Sequence, residues 1–141
     1  MNWELIATGF YVGRFRYAPG TFGTLLGVLL AYLFSFKWWL VLLTSLFLYP
    51  LALKSVEYMV ELTRERDPES VVIDEILGYF VIFLWVEPTL KTLILAFVIF
   101  RLLDILKPFP INLFEKLPRG HGVVADDVVA GLITGFILKL L

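Results

Sequence analysis

Apolar residues in this chain come in long runs interrupted at a few polar stations, and the interruptions locate the elements. From Thr21 to Leu53 the only formal charge is Lys37, set in Phe34-Ser35-Phe36-Lys37-Trp38-Trp39. Tryptophan favours the membrane–water interface, and a lysine can snorkel there. The pattern predicts two short helices, about Thr21–Phe36 and Trp38–Leu53, joined by a tight turn. Both fall below the ~20 residues of an ordinary span, so a hairpin that only partly enters the bilayer fits as well. Lys54 to Ser70 is the most charged stretch and reads as a solvated helix end followed by a turn. Asp67-Pro68-Glu69 then predicts a helix start, with Asp67 as N-cap and Pro68 at the first position. A third apolar segment, Val71 to Val86, stops at Glu87-Pro88, and a fourth, Leu90 to Leu106, stops at Lys107-Pro108. After a polar connection from Lys107 to Gly122, a fifth runs from Val123 to Leu141. The expected fold is all-α, an integral membrane bundle of about five helices with an interfacial N-terminal segment. No repeat or linker divides it, so residues 1–141 are expected to form a single domain.

Composition agrees with the pattern. Hydrophobic residues make up 60%, charged residues 18%, and the mean hydropathy is +0.86, against about 45–50% and about 25% in soluble domains. A net charge of −1 provides no basic field for nucleic acid. With no cysteine and one histidine, thiol nucleophiles, Cys-ligated zinc and multi-histidine metal sites are excluded. Met1 to Gly20 carries Glu4, Arg14 and Arg16 and no clean apolar core, so no signal peptide is expected. With the N-terminus in the cytoplasm, Arg14, Arg16, Lys54, Arg64, Arg66, Lys107, Lys116 and Arg119 lie inside, while Lys37, Lys91 and Lys139 lie outside. This satisfies the positive-inside tendency.

Carboxylates interrupt the apolar segments at three places: Asp74-Glu75 at the start of the third, Asp104 near the end of the fourth, Asp126-Asp127 near the start of the fifth. Successive spans alternate direction, so these positions, together with Thr21 and Thr24 at the start of the first, share one end of the bundle, the cytoplasmic one. A carboxylate at bilayer depth costs about 2.5–3.5 kcal/mol on insertion scales, and several together repel. Arg101 and Lys107, spaced by three about Asp104, supply two positive charges. Against five acids that is too few, and a divalent cation fits the deficit. Mg²⁺ takes carboxylate oxygens and binds together with substrate phosphates. Each cluster also has a plainer reading: Asp126-Asp127 as a helix N-terminal cap, Arg101–Asp104 as a structural ion pair, Asp74-Glu75 as solvated. Their convergence is what favours a site.

Ala18-Pro19-Gly20-Thr21-Phe22-Gly23-Thr24 offers backbone N–H groups and two hydroxyls at a helix N-terminus, where an anion or phosphate can bind. Gly23 and Gly27, and Gly131 and Gly135, are each four apart and mark close-packing helix faces. The stripes Asp127, Gly131, Gly135 and Asp126, Ala130, Thr134 would seat the fifth helix with both acids against the bundle. His121 reads as a loop histidine, with a proton shuttle or phosphate contact as the alternative.

These residues resemble the phosphatidylglycerophosphatase A family of bacterial membrane phosphatases. Four blocks carry the resemblance: Ala18-Pro-Gly-Thr-Phe-Gly-Thr24, Val72-Ile-Asp-Glu-Ile-Leu-Gly78, Arg101-Leu-Leu-Asp-Ile-Leu-Lys-Pro-Phe-Pro-Ile111 and Gly120-His-Gly-Val-Val-Ala-Asp-Asp-Val-Val-Ala-Gly131. The third and fourth are the specific ones, and order and spacing fit from Thr8 nearly to the C-terminus. The resemblance implies a phosphoric monoester hydrolase of phospholipid biosynthesis in the bacterial inner membrane. It would be Mg²⁺-dependent and would convert phosphatidylglycerophosphate to phosphatidylglycerol and inorganic phosphate at the cytoplasmic face. By matching position, Asp74, Glu75, Asp104, Asp126 and Asp127 would form the metal and catalytic centre, and Arg101 and Lys107 would contact phosphate. His121 maps to no family role. Attack by an activated water and attack by an aspartate both remain open. A small ion or proton transporter using its intramembrane acids is the competing reading, but Tyr79–Trp85 and Ala96–Phe100 carry no charge.

Overall fold

The computed structural model describes residues 2–34, 37–118 and 120–141. The expected turn through Ser35 and Phe36, and Arg119 of the basic set, lie outside the described residues. Those residues form an all-helical fold without strands: α1 (Trp3–Ala7), α2 (Pro19–Phe34), α3 (Trp38–Thr63), α4 (Ile73–Phe80), α5 (Leu90–Leu106), α6 (Ile111–Phe114) and α7 (His121–Leu140). Two 3₁₀ turns, Val12–Arg14 and Val81–Leu84, complete the list of helical elements. The five predicted apolar segments correspond to α2, α3, α4 with its 3₁₀ extension, α5 and α7.

The lengths differ from expectation at two points. α3 does not end near Leu53; it continues for 26 residues to Thr63 and ends on Arg64 in a left-handed conformation (φ 60°). Its last turns hold because Val56 and Met59 are buried in the core while Glu61 and Leu62 face outward. By length and composition α3 is the one described helix able to cross a membrane; α2 is apolar but shorter. The third segment starts later than expected. Asp67-Pro68-Glu69 is not a helix start but a loop, and the helix begins at Ile73 after Val72. The backbone explains why: Val72 N–H donates to the Ala7 carbonyl at 2.8 Å and Val71 N–H to that of Pro68, which ties this stretch to α1 and to its own turn. α4 is therefore 8 residues long, followed by a 4-residue 3₁₀ turn, together about 20 Å. The polar connection from Lys107 to Gly122 contains a further helix, α6, anchored by fully buried Ile111.

Glycines set the packing. A Cβ on Gly23 would lie 2.5 Å from the Val72 Cβ, and one on Gly27 3.1 Å from that of Tyr79, so α2 lies directly against α4. A Cβ on Gly131 would overlap the Gly78 carbonyl oxygen, and one on Gly78 would stand 2.5 Å from the Asp127 carbonyl oxygen. α4 and α7 thus cross backbone to backbone. Gly135 continues the stripe against the Trp85 ring. Apolar clusters fill the space on either side, one around Val56, Met59, Leu77 and Val124, the other around Tyr79, Phe80, Phe100 and Ala130. Elements alternate in direction: Lys37, Trp39, Trp85, Glu87 and Lys139 gather at one end, while the beginnings of α2, α4 and α7 and the end of α5 meet at the other.

Gly131→Ala is expected to destabilise the fold by about 1–3 kcal/mol, because the added methyl meets backbone that cannot yield. Gly27→Ala, whose nearest neighbours stand at 3.1–3.3 Å, should cost less. Thermal unfolding of both variants in one detergent checks the order.

Candidate functional site

Two helix N-termini and one helix C-terminus bring the acids together. Asp74 and Glu75 sit in the first turn of α4. Asp104 lies in the last turn of α5. Asp126 and Asp127 fall in the second turn of α7, which begins at His121; they are therefore not caps. Four of the five are buried: Asp74 (5% exposed), Asp104 (9%), Asp126 (3%) and Asp127 (1%). Each of Gly78 and Gly131 follows its acid, Asp74 or Asp127, by one helical turn, so the backbone crossing at the glycines fixes how closely the two carboxylates approach.

The five acids divide into two groups by their partners. Arg101 Nη1 donates to Asp104 Oδ2 at 2.5 Å, and Lys107 Nζ donates to Asp126 Oδ2 at 2.6 Å. Lys107 also stands 3.5 Å from Asp104 Oδ1 and 3.9 Å from Asp127 Oδ1. Lys107 caps α5 in the left-handed region (φ 45°), a conformation that costs a non-glycine residue about 1–2 kcal/mol. Burial opposes its charge, yet Asp127, Asp126 and Asp104 together hold the ammonium above the ordinary lysine value.

The second group is Asp74, Glu75 and Asp127. One oxygen from each lies within 4.8 Å of the others. Asp74 Oδ1 and Glu75 Oε2 are buried with no hydrogen-bond partner among the described residues. Orphaned buried carboxylate oxygens are costly unless something cationic meets them, and three converging hard oxygen donors suit a hard metal ion. The residues present therefore fit a divalent cation.

The N-terminus of α2 closes the site. A Cβ on Gly20 would stand 3.1 Å from Arg101 Nη1 and 3.2 Å from Glu75 Oε1, so the first turn of α2, Arg101 and Glu75 share one place. The helix end carries about +0.5 charge; with Arg101 beside it, the spot favours an anion. Thr21 is half-buried in this turn. Thr24 is turned away from the phosphate contact expected of it: it is fully buried and its hydroxyl donates to the Gly20 carbonyl at 2.8 Å. Thr21 and Phe22 N–H both donate to the Ala18 carbonyl.

His121 is not a free loop residue. It opens α7, and its Nδ1 lies 3.1 Å from the Tyr49 hydroxyl on α3. One residue was overlooked in the sequence: Asp67, on the loop after α3, lies within the electrostatic reach of Lys107, Asp104 and Glu115. Its place beside Pro68 suggested a helix cap instead, and no local pattern signals that a lysine forty residues on lies near enough to act on its charge.

The chain matches the family model described as phosphatidylglycerophosphatase A over residues 5–141. It is 39% identical over 140 residues to a phosphatidylglycerophosphatase A of Haemophilus influenzae, covering 92% of this chain and 82% of that protein. It is 36% identical over 143 residues to one of Escherichia coli, covering 96% and 81%. It is also 36% identical over 144 residues to a Bacteroides thetaiotaomicron protein provisionally named a phosphatidylinositol-3-phosphatase, covering 95% and 89%. No solved structure matches the chain.

A divalent cation in 100-fold excess over its Kd should stabilise the folded chain by about 2.7 kcal/mol. Asp127→Asn should largely abolish that increment while leaving the metal-free protein folded. Unfolding curves with and without Mg²⁺ read this out without any assay of activity.

Proposed function

We propose that this chain, which belongs to the phosphatidylglycerophosphatase A family, hydrolyses the terminal phosphomonoester of phosphatidylglycerophosphate to phosphatidylglycerol and inorganic phosphate, using Mg²⁺ at the cytoplasmic face of a bacterial inner membrane. The observation that carries the reading is the meeting of Asp74, Glu75 and Asp127, with two orphaned oxygens among them, beside Arg101, Lys107 and the start of α2.

In this reading Asp74, Glu75 and Asp127 hold the metal. When bound, Mg²⁺ neutralises charge on the phosphoryl oxygens. The chain's own groups do the rest. Arg101 and the N-terminal turn of α2 orient the phosphate, Arg101 through two or more N–H donors. Lys107 neutralises the charge that develops as the phosphorus–oxygen bond breaks. Asp104 and Asp126 hold these two cations in place before substrate arrives. A phosphate that takes over Arg101 and Lys107 leaves one of those carboxylates free to accept the proton of the attacking water. The leaving oxygen belongs to the glycerol of the lipid headgroup, which takes the proton back from that carboxyl group and departs as an alcohol.

Membrane residence is supported by what the folded chain leaves uncovered. Leu90, Ile94, Val98 and Leu102, four apart on one face of α5, are all at least half exposed, and Leu43, Leu46 and Phe47 stand out from α3. Contiguous apolar surface of this kind marks lipid or partner contact. The proposed arrangement is a multi-pass bundle in which α3 crosses the bilayer and the shorter elements pack around it. The basic residues Arg14, Arg16, Arg64, Arg66, Lys107 and Lys116 lie on the acidic end, which the positive-inside tendency assigns to the cytoplasm.

Phosphate release from phosphatidylglycerophosphate in mixed micelles tests the proposal. Wild type should be active with Mg²⁺ and silent in chelator. Arg101→Ala and Lys107→Ala should each lose about 10²–10³-fold, the cost of removing one donor to a developing oxyanion, and Asp104→Asn should fall at least as far. A folded, metal-loaded wild type with no activity on any lipid phosphomonoester would overturn it. A phosphorylated protein trapped from labelled substrate would replace the water with an aspartate nucleophile.

A further inference from the structure

Residues 9–18 join α1 to α2, and four of the ten are aromatic: Phe10, Tyr11, Phe15 and Tyr17. They are 79%, 45%, 56% and 68% exposed. Arg14 and Arg16 stand exposed among them, and the stretch contains no acid. We propose that this loop is a membrane-docking surface, an inference that rests on the membrane residence read above. Its rings seat at the headgroup–acyl boundary of an anionic phospholipid leaflet, and its arginines meet the lipid phosphates.

The backbone holds the rings outward. Phe10, Tyr11 and Ala18 all take positive φ, at 57°, 68° and 46°, a region that disfavours any side chain. Such conformations persist only where the surroundings impose them. Thr8 is fully buried; its hydroxyl accepts the Tyr11 N–H at 3.1 Å, and its carbonyl accepts the Gly13 N–H at 2.8 Å. Gly13 is pressed against the Ser70 carbonyl, where no Cβ would fit. Arg14 pairs with Glu4 on α1. Strained backbone that displays apolar rings points to a surface that receives them.

The chemistry of the patch selects a lipid interface. Rings this dense on a surface mark a membrane or protein contact. Tyrosine suits the membrane–water boundary, where its ring lies in apolar surroundings and its polar tip stays wet. The Tyr11 hydroxyl accepts from Asn2 Nδ2 at 3.3 Å, and the Arg16 guanidinium lies 5.4 Å from the Tyr17 ring centre. Basic residues beside such rings favour an anionic leaflet. Phe10 also lines an apolar recess with Leu29 and Leu33 of α2 and Leu48 and Leu51 of α3, and no described residue around that recess has a polar side chain. The apolar surface therefore runs unbroken from the loop to the flank of the one described helix long enough to cross a bilayer. A bilayer around α3 meets Phe10 as well.

Docking fixes the depth of the first turn of α2. The Ala18 carbonyl, at the loop's end, accepts the Thr21 and Phe22 N–H groups, and the Phe15 ring centre lies 4.6 Å from that of Phe22. Gly20, two residues before Phe22 and so on the other side of the helix, is the residue beside Arg101 and Glu75. With the rings at the headgroup–acyl boundary, that corner lies near the layer of lipid phosphates.

The full-length chain has no cysteine of its own, so a nitroxide can be placed at one residue at a time. Phe10→Cys, Phe15→Cys and Tyr17→Cys carry the label, in bilayers of phosphatidylcholine and phosphatidylglycerol in equal parts. Leu46→Cys, exposed on α3, is the lipid reference, and Glu65→Cys, exposed on the loop after α3, is the water reference. Against Glu65→Cys, the loop labels should be several-fold less accessible to a water-soluble nickel chelate and more accessible to oxygen, as Leu46→Cys is. Nickel accessibility equal to that of Glu65→Cys would overturn the proposal, as would labels shielded from both reagents, which protein contact produces. Shielding from nickel should weaken in phosphatidylcholine alone; unchanged shielding would overturn the anionic leaflet. Phe10→Ser with Tyr17→Ser leaves the Phe15–Phe22 contact intact. It should cut turnover of phosphatidylglycerophosphate in bilayers by about tenfold, the low end of what burying one such ring is worth, with the deacylated, water-soluble phosphomonoester unaffected. Equal loss on both substrates would overturn the proposal. The label measurement needs no turnover: inserted labels without phosphate release keep the loop and remove the activity, and phosphate release with labels in water does the reverse.

Discussion

The crossing of α4 and α7 at Gly78 and Gly131 is the constraint on which the rest depends. Neither position tolerates a Cβ, because each would run into the other helix's backbone. One turn before each glycine, on the same face, stands an aspartate: Asp74 on α4 and Asp127 on α7. Two helices held at backbone contact cannot vary their spacing, so neither can the carboxylates mounted one turn away. A preorganised acidic site needs that kind of rigidity, since groups that must be pulled together at the moment of binding spend part of the binding energy on the movement. Glycines that looked like packing alone in the linear sequence therefore set the spacing between the helices that carry Asp74 and Asp127.

Electrostatics then explains why the acids separate into two sets. Buried carboxylates at short range raise one another's energy unless a positive group intervenes. Arg101 and Lys107 reach Asp104 and Asp126 directly. Their reach to the remaining three is weaker: Lys107 approaches Asp127 at 3.9 Å, and Arg101 lies near Glu75 at the start of α2. Asp74 and Glu75 are left with bare buried oxygens. A chain folded around such a group is incomplete in its charge, and a divalent ion with substrate phosphate beside it would complete it. That asymmetry separates residues that hold cations of the protein from residues free to hold one from outside, a distinction invisible when all five acids are simply counted.

Much of this was legible in the sequence, for identifiable reasons. Alternating direction is a property of successive apolar segments, so the convergence of Asp74-Glu75, Asp104 and Asp126-Asp127 with the start of α2 needed no coordinates. Pro88 and Pro108 ended their segments where chain chemistry says they should. The misreadings all depended on contacts between distant residues. Asp67-Pro68-Glu69 has the local signature of a helix start, but the Val72 N–H bond to the Ala7 carbonyl ties the chain to α1 and the helix begins only at Ile73. α3 outran its predicted end because Val56 and Met59 found a core to bury in. The pairing of Gly78 with Gly131 could not be read at all, since a close-packing stripe in one helix does not name its partner.

The shortness of α4 has a consequence for the kind of chemistry the chain can do. Because the helix begins at Ile73 and ends at Phe80, its acids occupy the first turn at one end of the bundle. The next turns carry buried Leu77, Tyr79, Phe80 and Ile82. Tyr79 directs its hydroxyl to the Leu93 carbonyl, so even the polar atom at that depth is used internally. Among the described residues, no relay of charged side chains leads from the acidic end toward Trp85 and Lys139 at the other, which is what an ion pathway through the bundle would need. A lipid phosphate makes no such demand. Its headgroup stays at the interface, its chains already lie in the apolar layer, and only the phosphorus must reach the acids. An acidic cluster at one end of an otherwise apolar bundle meets the needs of lipid chemistry, and α4 is the element that keeps its acids there.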